Sequence, residues 1–80
     1  MENYKKIVDD YFNQKFEEFN LSTEIKSIDD LVEISENVVN MGINIKDNFE
    51  KDLNINENSK NYKEIVDYLA LLLREVIKTN

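Results

Sequence analysis

The chain has 80 residues, a formal net charge of −7, a single glycine, and no proline, cysteine or histidine. This length predicts one domain over residues 1–80. Without cysteine the chain can form neither disulfides nor thiolate metal sites, and without histidine it lacks the commonest general base, so we predict no enzyme activity, no catalytic residues and no metal site.

Apolar residues recur at helical spacing along the chain, which predicts an all-α fold. Four helices are expected, forming a four-helix bundle with a short third helix. Because glycine occurs once and proline is absent, Asn, Asp and Ser must make the turns. The first helix is predicted over residues 2–18, and its buried face is expected to hold Tyr4, Ile7, Val8, Tyr11, Phe12, Phe16 and Phe19.

The second helix is predicted over residues 28–41. Ser27 followed by Asp30 is a capping pair, and acidic residues in a first turn suit the helix dipole. Gly42 stands where a left-handed C-terminal cap is expected. Residues 43–45 then alternate briefly between apolar and polar, which predicts an extended connector.

The third helix is predicted over residues 47–53, and a polar, asparagine-rich segment follows it up to Ser59. The last helix is predicted over residues 60–78. Its apolar run is wider than one helical stripe. We therefore expect Tyr68 and Leu71 to be exposed or covered by a partner.

The second helix is strongly acidic, because no basic residue lies between Lys26 and Lys46. Such a surface attracts basic protein surfaces and repels nucleic acid. The candidate partner-binding residues are the acids of this helix: Asp29, Asp30, Glu33 and Glu36.

The chain shows no sign of membrane association. No apolar run approaches the roughly 20 residues that span a bilayer. The N-terminal residues lack the apolar core of a signal peptide. We therefore predict no membrane insertion and a cytoplasmic location.

Ser27 has two interpretations. Its hydroxyl can cap the second helix by accepting a backbone N–H group. It can also be a covalent attachment point, because the free N–H groups and the dipole of a helix N-terminus favour a phosphodiester anion. Spacing alone favours the cap, since serine is common at that position.

From Ser27 onward the chain resembles acyl carrier proteins and the related peptidyl carrier domains. In that family a serine in an Asp-Ser-Leu motif begins the second helix and carries phosphopantetheine. Residues 27–31, Ser-Ile-Asp-Asp-Leu, resemble its Ser-Leu-Asp-x-Val, and the spacing from Ser27 to Gly42 matches its exit from the second helix. Residues 45–47 are similar to its Ile-Pro-Asp, and residues 65–69 look like its last helix.

The resemblance implies an acyl-carrier-like bundle that presents a phosphopantetheine-tethered acyl group on Ser27 to partner enzymes and does not itself catalyse. The acids Asp29, Asp30, Glu33 and Glu36 would orient the basic surfaces of those enzymes. Seven apolar residues would then line the bundle interior: Ile28, Leu31, Ile34, Val38, Phe49, Ile65 and Leu69.

An alternative function belongs to a different class. A small acidic helical interaction protein without a prosthetic group, such as an immunity protein, an antitoxin or an inhibitor, would carry the same negative surface. In such a protein Ser27 would serve only as a helix cap.

Overall fold

A computed structural model describes residues 3–79, and every regular element in that range is an α-helix. The helices are α1 (Tyr4–Glu18), α2 (Ile28–Leu53) and α3 (Tyr62–Thr79). The predicted all-α class is confirmed. The predicted four-helix bundle is wrong, because the expected second and third helices form one continuous α2.

The core-facing residues of α2 explain why this helix does not stop at Gly42. Its buried residues follow one another at intervals of four, three and four: Ile34, Val38, Met41 and Ile45. The same helical spacing of buried residues continues on both sides of Gly42, and the φ angle of Gly42 is not positive. A glycine inside a helix costs about 1 kcal/mol, whereas burying side chains such as Met41 and Ile45 contributes about 1.5–3 kcal/mol each. The predicted cap at Gly42, connector at 43–45 and separate helix at 47–53 are therefore wrong.

Asparagines, rather than the glycine, take the left-handed conformation that ends the helices. Asn20 follows α1 with a φ of 58°, and Asn54 follows α2 with a φ of 56°. After α1 the Leu21 N–H donates to the Phe16 carbonyl at 3.0 Å, and after α2 the Ile55 N–H donates to the Glu50 carbonyl at 2.9 Å. Both ends have the hydrogen-bond pattern of the Schellman motif. The prediction that Asn would make the turns is confirmed at these two positions.

The three helices and the α1–α2 connector share one hydrophobic core. The helices α2 and α3 are antiparallel: the Phe49 ring lies 6.2 Å from that of Tyr62 at the start of α3, while Val39 lies beside Ile77 near its end. The buried apolar residues are Val8, Tyr11, Phe12, Leu21, Ile34, Val38, Met41, Ile45, Ile65 and Leu69.

Two predicted interior positions are exposed instead. Ile7 of α1 is half exposed, and Ile28 is 74% exposed. Leu71 is exposed, in agreement with the width of the apolar run in α3. Tyr68, which was expected to be exposed or covered by a partner, is half-buried, and its hydroxyl donates to the Asp9 carboxylate of α1 at 2.7 Å.

Replacing Gly42 by alanine tests the continuity of α2. A Cβ atom at this position would meet no atom within 4 Å, so Gly42→Ala is expected to stabilise the protein by about 0.5–1 kcal/mol through helix propensity. Chemical denaturation of both proteins measures the difference. A left-handed cap at Gly42 would give the opposite sign, since alanine is strained there.

Candidate functional site

Ser27 lies at the solvent-exposed start of α2 and caps it. Its backbone is extended, with φ −152° and ψ 169°. Its hydroxyl oxygen accepts the Asp30 N–H at 3.2 Å. The predicted capping role of Ser27 is thereby confirmed, and the side chain is exposed.

Asp30 belongs to this cap. Its carboxylate accepts the Lys26 N–H at 3.0 Å, while its own N–H donates to Ser27. The two side chains thus bind backbone N–H groups on either side of the helix start, as in a capping box, except that Asp30 accepts from Lys26, the residue before the cap, rather than from Ser27. Asp30 therefore differs from the other three candidate partner-binding acids in that its carboxylate is part of the helix cap.

The other three acids share one solvent-facing arc of α2. At 3.6 residues per turn, Asp29, Glu33 and Glu36 fall within about 60° of one another and about 140° from the core residues. All three are exposed. We call these three residues the acidic edge. No Lys or Arg in residues 27–45 neutralises it from within α2.

An exposed apolar stripe lies beside the acidic edge, although one of its members, Ile28, was predicted to line the bundle interior. Its members share an arc of about 60°. Val39 is 60% exposed and Ile43 is 54% exposed. The apolar stripe comprises Ile28, Val32, Val39 and Ile43. Its spacing is readable in the sequence, but the predicted helix end at Gly42 separates Ile43 from the other three residues.

A second polar feature lies at the other end of α2. A cavity of about 220 Å³ is lined by Tyr11, Gln14, Lys15 and Asp52. The Tyr11 hydroxyl donates to Asp52 at 2.6 Å, and the buried Lys15 ammonium lies 3.6 Å from the same carboxylate. Burial, together with the bond to Asp52, raises the pKa of Tyr11 far above its usual 10.0. Tyr11 is therefore held protonated as a donor, and this cluster ties α1 to α2 rather than supplying a base.

The raised pKa of Tyr11 predicts a loss of stability at alkaline pH. The folded chain retains the Tyr11 proton, which the unfolded chain releases near pH 10. The contribution of Tyr11 to the free energy of unfolding is therefore fully present below pH 10. It falls as pH rises above 10, by about 1.4 kcal/mol per pH unit at most. The free energy of unfolding of wild type and of Tyr11→Phe is measured between pH 9 and pH 11. Because both proteins contain the same lysines, the difference between them isolates the effect of Tyr11. A difference that stays constant from pH 9 to pH 11 would contradict the prediction.

Ser27→Ala is expected to lower the free energy of unfolding by about 1 kcal/mol, because the Asp30 N–H loses its acceptor. Ser22→Ala is the matched control, since Ser22 is exposed in the connector outside any helix. Equal stability of the two variants would contradict the capping role.

Neither a metal site nor a membrane span is found in the described chain. Within residues 3–79, no group of three or more acidic side chains could hold a metal ion. None of the helices in the same range is long and apolar enough to cross a bilayer.

The geometry therefore offers an acidic edge beside an apolar stripe on α2, and a capping serine at its start. The chain matches no protein-family model, no curated protein and no solved structure.

Proposed function

We propose that this chain is a small acidic helical interaction protein that binds a basic protein partner through the exposed side of α2. The acidic edge carries the proposal: three carboxylates project to solvent from one arc, and α2 supplies no compensating cation before Lys46. In this proposal the protein is cytoplasmic, binds no nucleic acid and catalyses no reaction. An immunity protein, an antitoxin or an inhibitor would work in this way.

Electrostatic attraction would act mainly on the rate and specificity of association. Complementary charge steers a basic partner towards the acidic edge and disfavours acidic competitors. Because the three carboxylates are solvent-exposed, salt should screen them strongly. Binding is therefore expected to weaken as ionic strength rises.

Capture from an extract of the producing cells tests this function. The wild-type protein is compared with a variant in which Asp29→Asn, Glu33→Gln and Glu36→Gln neutralise the acidic edge. The matched control neutralises three exposed acids elsewhere: Glu24, Glu57 and Glu64. A basic protein retained by wild type and control, lost by the first variant and eluted by salt supports the proposal. Equal retention by all three proteins contradicts it.

An acyl carrier function is the second candidate, favoured by the exposure of the Ser27 hydroxyl at the N-terminus of α2. In this case Ser27 would hold phosphopantetheine, and the acids Asp29, Asp30, Glu33 and Glu36 would contact the partner enzymes. It ranks second for two reasons. Lys26 replaces the aspartate of the family motif, and α2 runs through the expected helix exit at Gly42.

An intact mass distinguishes the two functions. The protein is co-expressed with a promiscuous phosphopantetheinyl transferase and compared with Ser27→Ala. A gain equal to one phosphopantetheine group that disappears in the variant supports the carrier. An unchanged wild-type mass contradicts it.

A further inference from the structure

The helices α2 and α3 leave an apolar groove between them on the side next to the apolar stripe. One end is a depression of about 200 Å³ lined by Ser35, Val38, Val39 and Ile77. The other end is a depression of about 170 Å³ lined by residues that include Ile45, Phe49, Ala70 and Leu73. We call these two depressions together the α2–α3 groove. Ile77 is 62% exposed at its edge.

Gly42 lies between the two depressions, one turn from Val38 and one turn from Ile45. Its helical conformation does not require glycine, since its φ is not positive. A Cβ there would contact nothing within 4 Å. Glycine thus costs α2 about 1 kcal/mol of helix propensity without any gain inside the described fold. A missing side chain at this point widens the groove and lets another backbone approach closely.

The charges around the groove are unequal on its two sides. The acidic edge flanks the apolar stripe on the side away from α3. On the opposite side Arg74 lies three residues before Ile77 in α3, and Lys46 of α2 lines the groove beyond the end of the apolar stripe. A ligand that fits this pattern has an apolar face with Lys or Arg along one edge only.

We propose that the α2–α3 groove and the apolar stripe together receive one amphipathic helix of a basic partner. Its apolar face would pack on Val39, Gly42 and Ile77, and its basic edge would lie along the acidic edge. From Ile28 to Phe49 the stripe and the groove together extend about 32 Å at 1.5 Å per residue, which matches a helix of about 22 residues. This inference rests on the proposed function and names the surface and the partner class.

Charge favours such a partner over a second copy of this chain. A second copy would bring another net charge of −7 and another acidic edge to the contact. Like charges across an interface oppose association, whereas a basic edge would relieve the repulsion.

A displayed library of amphipathic helices tests the proposal. The peptides have about 22 residues, Leu, Ile or Phe at spacings of three and four, and Lys, Glu or Gln at the positions flanking the apolar face. Selection on the wild-type protein is expected to enrich Lys on one edge. Enrichment of Glu on that edge, or no enrichment above an unpanned library, would overturn the proposal.

Three variants locate the binding surface for the selected peptides. Val39→Asp and Gly42→Leu are each expected to weaken binding at least about tenfold, the loss typical of removing a central contact. Leucine is the better helix former at this position, and chemical denaturation of Gly42→Leu is measured alongside binding, so that weaker binding by a variant at least as stable as wild type is not attributed to unfolding. Leu71→Asp is the control, since Leu71 is exposed on another face of α3. Equal binding by all variants would overturn the proposal.

Two further results separate this inference from the proposed function. The first is that Val39→Asp and Gly42→Leu still bind a cellular partner, whereas the variant with the neutralised acidic edge does not. In that case the proposed function stands, and the proposal that the α2–α3 groove binds the partner is overturned. A concentration-dependent dimer of the wild type that Val39→Asp dissociates, seen by sedimentation, would assign the surface to a second copy and overturn the proposal.

Discussion

Met41→Ala is expected to lower the free energy of unfolding by about 2–5 kcal/mol, the range for truncating a fully buried methionine. Met41 is completely buried, and its neighbours along the same face of α2, Val38 and Ile45, are buried as well. A domain of this size has a total stability of about 4–12 kcal/mol. The variant should therefore unfold at a much lower denaturant concentration.

Urea denaturation followed by circular dichroism measures this effect. Val32→Ala is the matched control on the same helix, because Val32 is 52% exposed and its truncation should change stability by no more than about 0.5 kcal/mol. Similar losses in the two variants would show that α2 does not bury the face that contains Met41.

Asp52→Asn is expected to cost about 2 kcal/mol, because Asp52 supports two groups of α1 at once. Its carboxylate accepts the Tyr11 hydroxyl at 2.6 Å and lies 3.6 Å from the Lys15 ammonium. Lys15 is only 8% exposed. Without the charge of Asp52, its remaining ion-pair partner is Glu18 at 3.5 Å, whose side chain is half exposed.

A double-mutant cycle with Lys15→Met gives the sharper result. Replacing a buried ion by an apolar side chain is often neutral or stabilising, so Lys15→Met should recover most of the stability that Asp52→Asn loses. The control pair is Lys6 and Asp10, which is exposed and should show a coupling of about 0.5 kcal/mol or less. Additive losses at Lys15 and Asp52 would contradict a shared cluster.

The helical class and the start of α2 were predictable, because both depend on local chemistry. Residue spacing identified the helices, and Ser27 with Asp30 identified a helix start whose hydrogen bonds the structure contains. Asparagine was expected to make turns in a chain with one glycine, and Asn20 and Asn54 do so.

The predicted length of α2 is wrong, because burial in the core outweighs the local preference of glycine for a helix end. Gly42 looks like a helix end, yet Met41 and Ile45 on either side of it are both buried. The unbroken spacing from Ile34 to Ile45 was the signal for a continuous helix. Tertiary burial outweighs the propensity of a single residue.

The candidate surface was predicted in part. The acids were identified from charge alone, but which of them face outward depends on where the core of α2 lies. Asp30 is engaged in the cap, while Asp29 remains beside the apolar stripe. Val39 and Ile43 stay exposed because of the way α2 packs against α3. The local sequence does not indicate which apolar residues of α2 are left exposed by this packing.

Zero-length cross-linking in an extract of the producing cells tests the central claim, that the acidic edge of α2 meets a basic partner. A carbodiimide joins carboxylates directly to lysine amines that touch them. We predict that cross-links to another protein concentrate at Asp29, Glu33 and Glu36 and disappear at high salt. Cross-links spread evenly over these residues and Glu24, Glu57 and Glu64, or found only within the chain, would contradict the claim.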